Sequence, residues 1–413
     1  MDSPTWVTCR VPHPDAAGLG DLVAEPDAFL ADDLFRRAVW TPADTVERLA
    51  GRLPTVAALW SDALARHVRT PAFRLVQDGT TLAASSYCRS AGMGQRTIDD
   101  VIEPNRVVEL HRSGATMVLQ GLQLTDPALG RFANNLALAL DHPVQINAYL
   151  SPAAARGLDL HFDFHDVFVV QLDGCKRWRV WEPLPRTHEP VRGRPAVVMP
   201  TLDELGPPAL DLTLRPGDCL YLPRGFPHAA ETVESASAHL TVGLMAITWQ
   251  RLAHHAIDAA IAAGHLRGSV PSLSLDGGTT GASLGPAALA PVAAECSVDR
   301  VRSWLAREIW RRQPVTRLRP LVAPPVDAAR PVVVTPGALL WATTAGSVGA
   351  RAVLGLGERQ LDLPAEPFPF LVALLCAPTG FVAADWDGPL DGTSRQVVLD
   401  RLADEGVIVP GPV

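Results

Sequence analysis

The triplet His161-Phe162-Asp163 sets an imidazole and a carboxylate two residues apart. On a strand, positions i and i+2 share a face, so both side chains can reach one point. A third donor has to come from elsewhere in the chain. His228 is the best placed: in GDCLYLPRGFPH, Gly217-Asp218 opens one turn, Pro223 and Gly225 shape the next, and the histidine follows. Two imidazoles and one carboxylate on one side of an ion leave three positions open, the donor set that suits a non-haem Fe(II) centre binding a bidentate cosubstrate and O2. A structural zinc site would be closed and richer in cysteine. Either motif alone is weak, since an H-x-D triplet or a histidine after Pro-x-Gly is usually an ordinary surface or core residue. Both fall within one β-rich segment, at a separation that lets strands of one barrel meet.

Lys176 strengthens the reading. It is the only lysine in the chain, and the other 35 of the 36 basic residues are arginine. A buried cation can hold the distal carboxylate of a 2-oxoacid cosubstrate if the two pair closely. Lysine is a compact point charge, whereas the planar fork of arginine needs more room. The competing reading is a lysine that snorkels from a sheet edge, but a chain so rich in arginine would have little reason to change residue there. Asn147 and Tyr149 share a face of the preceding strand and can both hydrogen-bond a carboxylate. His165 and His239 could orient metal ligands through hydrogen bonds, or be ordinary core histidines.

Those residues need a scaffold, and the surrounding pattern supplies one. VQINAYL (144–150) alternates, LHFDFHDVFVVQL (160–172) and KRWRVWEP (176–183) flank Asp173-Gly174, and LTLRPGDCLYLPRGFPHAAETV (212–233) gives more short runs. Asp-Gly between alternating segments signals a hairpin, and closely spaced strands with Gly/Pro turns predict a sandwich or barrel. Upstream, residues 18–40 have helical apolar spacing, 114–124 read as a strand, and 126–141 as a helix opened by an acidic cap. Residues 183–210 read as a long proline-rich loop, and 268–285 as a Gly/Ser-rich one.

From about residue 248 the texture becomes helical, over 248–266 and 298–312. The apolar residues of these helices need a partner surface, which predicts an oligomer interface. The last 80 or so residues read as strand, helix, helix and terminal strand, a winged-helix-like unit. Thr393-Ser394-Arg395-Gln396 fits a capping box there. Residues 367–383 are apolar but broken by prolines, and read as a core helix rather than a membrane span.

Composition narrows the function classes. The 413 residues exceed one ordinary core. A net charge of −8 argues against a DNA-binding surface. Six scattered cysteines without a C-x-x-C pair suit a reducing cytoplasm, and the first ten residues lack the pattern of a secretion signal.

Taken together, N-A-Y, H-F-D-F-H-D-V-F-V-V-Q-L-D-G-C-K-R-W-R-V-W-E-P, L-R-P-G-D-C-L-Y-L-P-R-G-F-P-H and S-A-H-L-T-V-G-L resemble the cupin-like JmjC oxygenases. The closest branch is the ribosomal oxygenases, which hydroxylate arginine or histidine in ribosomal proteins. The resemblance implies an α+β chain with a double-stranded β-helix core (cupin/jelly-roll, JmjC) over 1–249, a helical dimerisation region over 250–330, and a C-terminal winged-helix-like domain over 331–413. It implies Fe(II) on His161, Asp163 and His228, and 2-oxoglutarate and O2 as cosubstrates. Lys176 would pair with the 2-oxoglutarate C5 carboxylate, with Asn147 and Tyr149 placing cosubstrate or substrate. It further implies a cytoplasmic homodimer that acts on a protein or peptide, a ribosomal protein above all, without membrane or direct DNA contact. Two alternatives remain open: a hydroxylase of a biosynthetic peptide or small molecule, and a non-catalytic cupin scaffold or regulator.

Overall fold

The computed structural model describes residues 6–43, 49, 51–65, 68–153, 155, 159–184, 199–232, 235–268, 286–313, 320, 322–345, 351–356 and 359–412. The chain divides into two compact units, Pro12–Met245 with Gln313–Thr316, and Met1–Val11 with Ala246–Arg312 and Arg317–Val413. In chain order the strands are β1 (Trp6–Val11), β2 (Val39–Thr41), β3 (Phe73–Gln77), β4 (Thr80–Thr81), β5 (Cys88–Met93), β6 (Arg96–Ile102), β7 (Thr116–Leu119) and β8 (Val144–Ser151). There follow β9 (Asp166–Asp173), β10 (Lys176–Val180), β11 (Leu210–Leu214), β12 (Cys219–Leu222), β13 (His228–Thr232) and β14 (Ser237–Leu244). The remaining strands are β15 (Pro331–Val334), β16 (Ala338–Ala345), β17 (Arg351–Leu356), β18 (Arg359–Pro364), β19 (Phe381–Val382) and β20 (Ile408–Pro410).

The first unit is built on an eight-stranded sheet in the order β2-β12-β9-β14-β8-β7-β3-β4 and a three-stranded sheet β11-β10-β13. Val167, Val169, Leu220 and Leu222 of the large sheet pack with Trp178, Val180 and Leu214 of the small one. The result is a cupin-type, jelly-roll fold in a chain of mixed α+β content. Strand β8 shows the two-residue period directly: Val144, Ile146, Ala148 and Leu150 are buried, while Gln145, Asn147 and Tyr149 on the other face are half-buried.

Helix Pro127–Leu140 forms as its sequence predicts. Asp126 accepts hydrogen bonds from the N–H groups of Ala128 and Leu129 at 2.8 and 2.9 Å, and Pro127 stands where its missing N–H costs nothing. Asn135, on the buried face, fastens the chain near the start of this unit. Its Oδ1 accepts from the His13 N–H at 2.8 Å, and its Nδ2 donates to the carbonyls of His13 and Ala17.

Three local expectations change. Residues 18–40 are not one helix: Pro26, with no N–H to give, opens a new short helical segment at Pro26–Ala28 that continues to Asp33, Phe35 takes a left-handed φ of 66°, and β2 follows. The segment 160–172 is regular strand only from Asp166, with His161 held by an isolated bridge. Asp173-Gly174 does not close a hairpin. Both edges of β9 are occupied, by β12 and β14, so β10 crosses to the other sheet. The crossing is tight: Gly174 has φ 60°, and a Cβ there would lie 1.9 Å from the Ala236 carbonyl oxygen. Gln171 latches it, its Nε2 donating to Asp173 O, Gly174 O and Ser237 Oγ.

In the second unit, β1-β16-β17-β18 form one sheet and β19-β15-β20 another. Phe370, Leu371, Leu374, Leu399, Leu402 and Ile408 are among the residues of its core, so the apolar stretch 367–383 does supply a core helix, Phe368–Cys376. Helix Gly392–Asp404 is capped by Asp391, which accepts the Ser394 N–H at 2.7 Å, rather than by Thr393. Gln396 instead binds the backbone of Val326 and Ala328. Helices Trp249–Ala262 and Val298–Trp310 are joined by the Arg251–Glu308 ion pair and by His255 stacked on Trp304. Among the described residues no helix is long and apolar enough to cross a membrane. Residues 185–198 and 269–285, within the two loops anticipated from sequence, lie outside the described residues.

Candidate active site

The three donors meet through backbone pairing before their side chains are considered. The His161 N–H donates to the His228 carbonyl at 3.2 Å, and the His228 N–H returns a bond to the His161 carbonyl at 2.8 Å. The Gly225 N–H donates to the Asp163 carbonyl at 2.9 Å, drawing the turn before β13 against the H-x-D segment. His228 Nε2 stands 3.7 Å from Asp163 Oδ2. One ligand-capable atom from each of His161, Asp163 and His228 lies within 4.8 Å of the others.

Both imidazoles are oriented by a backbone carbonyl at Nδ1. His161 Nδ1 lies 2.6 Å from the Asp159 carbonyl, and His228 Nδ1 lies 2.9 Å from the Phe226 carbonyl. A carbonyl only accepts, so each Nδ1 carries a proton, and Nε2 is the nitrogen left to face a metal. Burial, helped by the neighbouring His161, pushes the pKa of His228 down to about 4, leaving it neutral at pH 7. Two imidazole nitrogens and one carboxylate form a donor set that fits a divalent iron and leaves room for further ligands.

The donors open into a cavity between the two sheets. Asn147, Tyr149, His165, Lys176 and His239 line it, so it gathers every residue singled out from sequence. Lys176, the first residue of β10, is only 4% exposed. Burial alone brings its pKa down to about 8, with no carboxylate to counter the effect. Tyr149 stacks on His239 with ring centroids 5.0 Å apart and planes 1° from parallel, and burial raises its phenol pKa. Asn147 Oδ1 accepts from the Gly121 N–H and from Gln145 Nε2, which leaves its amide nitrogen as the group it can offer. Burial and the nearby Lys176 hold the pKa of His239 well below its ordinary value.

The cavity is built for a polar guest. His165 Nδ1, Trp178 Nε1 and His239 Nδ1 are buried there without a protein partner. Orphaned polar atoms of this kind are costly unless a ligand or water satisfies them. Val76, Val118, Val167 and Val169 supply apolar lining. Sequence reasoning missed Thr241, which also lines the cavity. Its signal was the two-residue period from His239, read along a strand whose alternate residues, Leu240 and Val242, are buried.

A double-stranded β-helix with His-x-Asp and a distant His at its mouth defines a class of metal-dependent cupin, and residues 124–252 match the JmjC domain family. The chain is also similar to the ribosomal oxygenases: it is 37% identical to mouse ribosomal oxygenase 2 over 131 residues, 31% of this chain and 27% of that protein. Chicken ribosomal oxygenase 1 is 32% identical over 168 residues, 40% of this chain and 28% of that protein. The chain thus spans little more than a quarter of the length of these curated relatives. The fold is also similar to that of YcfD from Escherichia coli. One YcfD structure has a TM-score of 0.56 at 19% identity, covering 94% of this chain and 98% of that one. The YcfD structure solved with cobalt and 2-oxoglutarate has a TM-score of 0.52 at 18% identity, with the same two coverages.

Proposed function

We propose that this chain is an Fe(II)- and 2-oxoglutarate-dependent oxygenase that hydroxylates a side chain of a protein or peptide, an arginine or histidine of a ribosomal protein being favoured. The observation that carries the reading is the pairing, in one cavity, of a three-donor metal site with a buried lysine that has no carboxylate partner among the described residues. The similarity to ribosomal oxygenases supports the choice of substrate class.

In this reading His161, Asp163 and His228 hold the iron, which when bound supplies O2 activation coupled to oxidative decarboxylation of 2-oxoglutarate. Lys176 receives the distal carboxylate of 2-oxoglutarate as a charge-assisted pair. The Asn147 amide and the Tyr149 hydroxyl orient cosubstrate or substrate from the neighbouring strand. The Asp159 and Phe226 carbonyls hold the two imidazoles in register. The valines and Trp178 keep bulk water from the reacting groups.

The same proposal extends to the rest of the chain. Residues 250–330 serve as a helical dimerisation region, supported by Trp249, Ile257 and Ile261, exposed along helix Trp249–Ala262, with Trp249 85% exposed. Residues 331–413 form a winged-helix-like domain that does not bind DNA, in keeping with the net charge of −8. The homodimer works in the cytoplasm, where ribosomes are found.

The test is to incubate the protein with ribosomes, Fe(II) and 2-oxoglutarate, then to record intact masses of the ribosomal proteins and succinate released. One protein gaining the mass of one oxygen atom, in step with succinate, supports the proposal. Succinate formed only with a biosynthetic peptide or small molecule would move the substrate class. No turnover with any of these would favour a scaffold.

A further inference from the structure

We propose that Asp166, Tyr221 and Arg224 form a clasp that positions the His228 turn against Asp163 and so sets how tightly the three-donor site holds its metal. The inference rests on the metal-site reading above and assigns work to residues outside the cavity. Asp166, three residues after Asp163, is wholly buried. Its Oδ1 accepts from the Tyr221 hydroxyl at 3.2 Å and from the Arg224 backbone N–H at 3.2 Å, and its Oδ2 faces Arg224 Nη1 at 3.5 Å. The Tyr221 oxygen in turn accepts the Phe35 N–H at 2.9 Å, and the Arg224 guanidinium lies 5.6 Å over the Phe35 ring. A carboxylate this deep is tolerated only when charge and hydrogen bonds compensate its lost hydration.

The clasp stands at the head of a run in which every residue is tied. Arg224 is held by Asp166, and the Gly225 N–H by the Asp163 carbonyl. The Phe226 carbonyl fixes the His228 ring, the Pro227 carbonyl accepts the Trp181 N–H at 2.9 Å, and His228 bridges His161. Asp163 and Asp166 therefore grip adjacent residues of the same turn, one by its backbone and one by its side chain. Loosening the second grip lets the turn shift and changes the separation of the His228 and Asp163 donor atoms. Groups hydrogen-bonded directly to metal ligands typically change affinity by about 10- to 100-fold when removed, and the clasp, one step further out, belongs at the lower end of that range.

The bland alternative is an ion pair that only holds the barrel together, which would lower thermal stability and leave metal affinity alone. Cobalt(II) titration of the full-length chain, followed by visible absorption, separates the two. Tyr221→Phe, Arg224→Gln and Asp166→Asn are each expected to weaken cobalt binding about tenfold or more and to alter the absorption band at saturation. Arg224→Lys, which keeps the charge, is expected to recover part of the loss. Arg177→Gln, which breaks an exposed ion pair with Asp211, serves as the control and should bind cobalt as the parent does. Tyr221→Phe keeps the ring packed on Phe29 and Phe168, so it tests the clasp even if Asp166→Asn fails to fold. Folded variants that bind cobalt within about twofold of the parent, with an unchanged band, would overturn the proposal whatever their melting temperatures. If the parent chain itself binds no cobalt, the metal-site reading fails and the clasp falls with it.

Discussion

Replacing Lys176 by methionine should push stability and cosubstrate binding in opposite directions. Methionine fills nearly the same space without the charge. Burial moves the lysine pKa from 10.5 to about 8, and at about 1.4 kcal/mol per pH unit this makes the charged ammonium cost the empty protein about 3 kcal/mol. Lys176→Met should therefore raise the unfolding free energy at pH 7 by an amount of that order. The advantage has a defined pH range. Below about 8 the lysine is charged in both folded and unfolded chains and the full cost applies. Between about 8 and 10.5 the folded chain has lost the proton that the unfolded chain still holds, so the parent gains stability as pH rises and the difference shrinks. Urea unfolding of both proteins at pH 7 and pH 10 measures this directly. Calorimetric titration of the cobalt-loaded proteins with 2-oxoglutarate should show the reverse effect, a loss of affinity of at least about a hundredfold in the variant. In the parent, affinity should fall about tenfold per pH unit above about 8, because binding must then restore the proton. Unchanged 2-oxoglutarate affinity in Lys176→Met would refute the assignment of this lysine, and unchanged stability would refute its burial as a bare cation.

Two further perturbations probe the site and its support. Asp163→Ala should abolish succinate formation and weaken cobalt binding while leaving the far-ultraviolet circular dichroism of the chain unchanged, since the residue is held at the site by its backbone carbonyl. Gly174→Ala combines a left-handed φ with a backbone collision at Ala236, so the variant should lose about 3 kcal/mol or more in urea unfolding; a smaller loss would mean that the crossing relaxes.

The residues that gather in the cavity were more legible in the sequence than the path of the chain that brings them there. His161, Asp163, His228 and Lys176 could be picked out because each departs from its surroundings: polar groups within β-rich runs, and one lysine among arginines. Their convergence follows from strand periodicity and turn residues, which are local signals. The route between them is not local. Asp173-Gly174 has the composition of a hairpin, yet the edges of β9 are taken by strands far along the chain, so the turn becomes a crossing between sheets. The helical spacing of 18–40 likewise yields to Pro26 and to Phe35, whose N–H is spoken for by Tyr221. Asp166 shows the same limit on the polar side. At the start of an apolar strand it looks like a turn residue, and only the fold brings Arg224 and Tyr221 to it.

In the proposed function one cavity holds a metal on His161, Asp163 and His228 and the far end of 2-oxoglutarate on Lys176. Crystals grown with cobalt(II) and 2-oxoglutarate, measured at the cobalt absorption edge, test it most directly. One anomalous peak is expected, bounded by Nε2 of His161, Nε2 of His228 and the Asp163 carboxylate, with the distal carboxylate of 2-oxoglutarate against Lys176 Nζ. A peak elsewhere, or 2-oxoglutarate bound with Lys176 untouched, would contradict it.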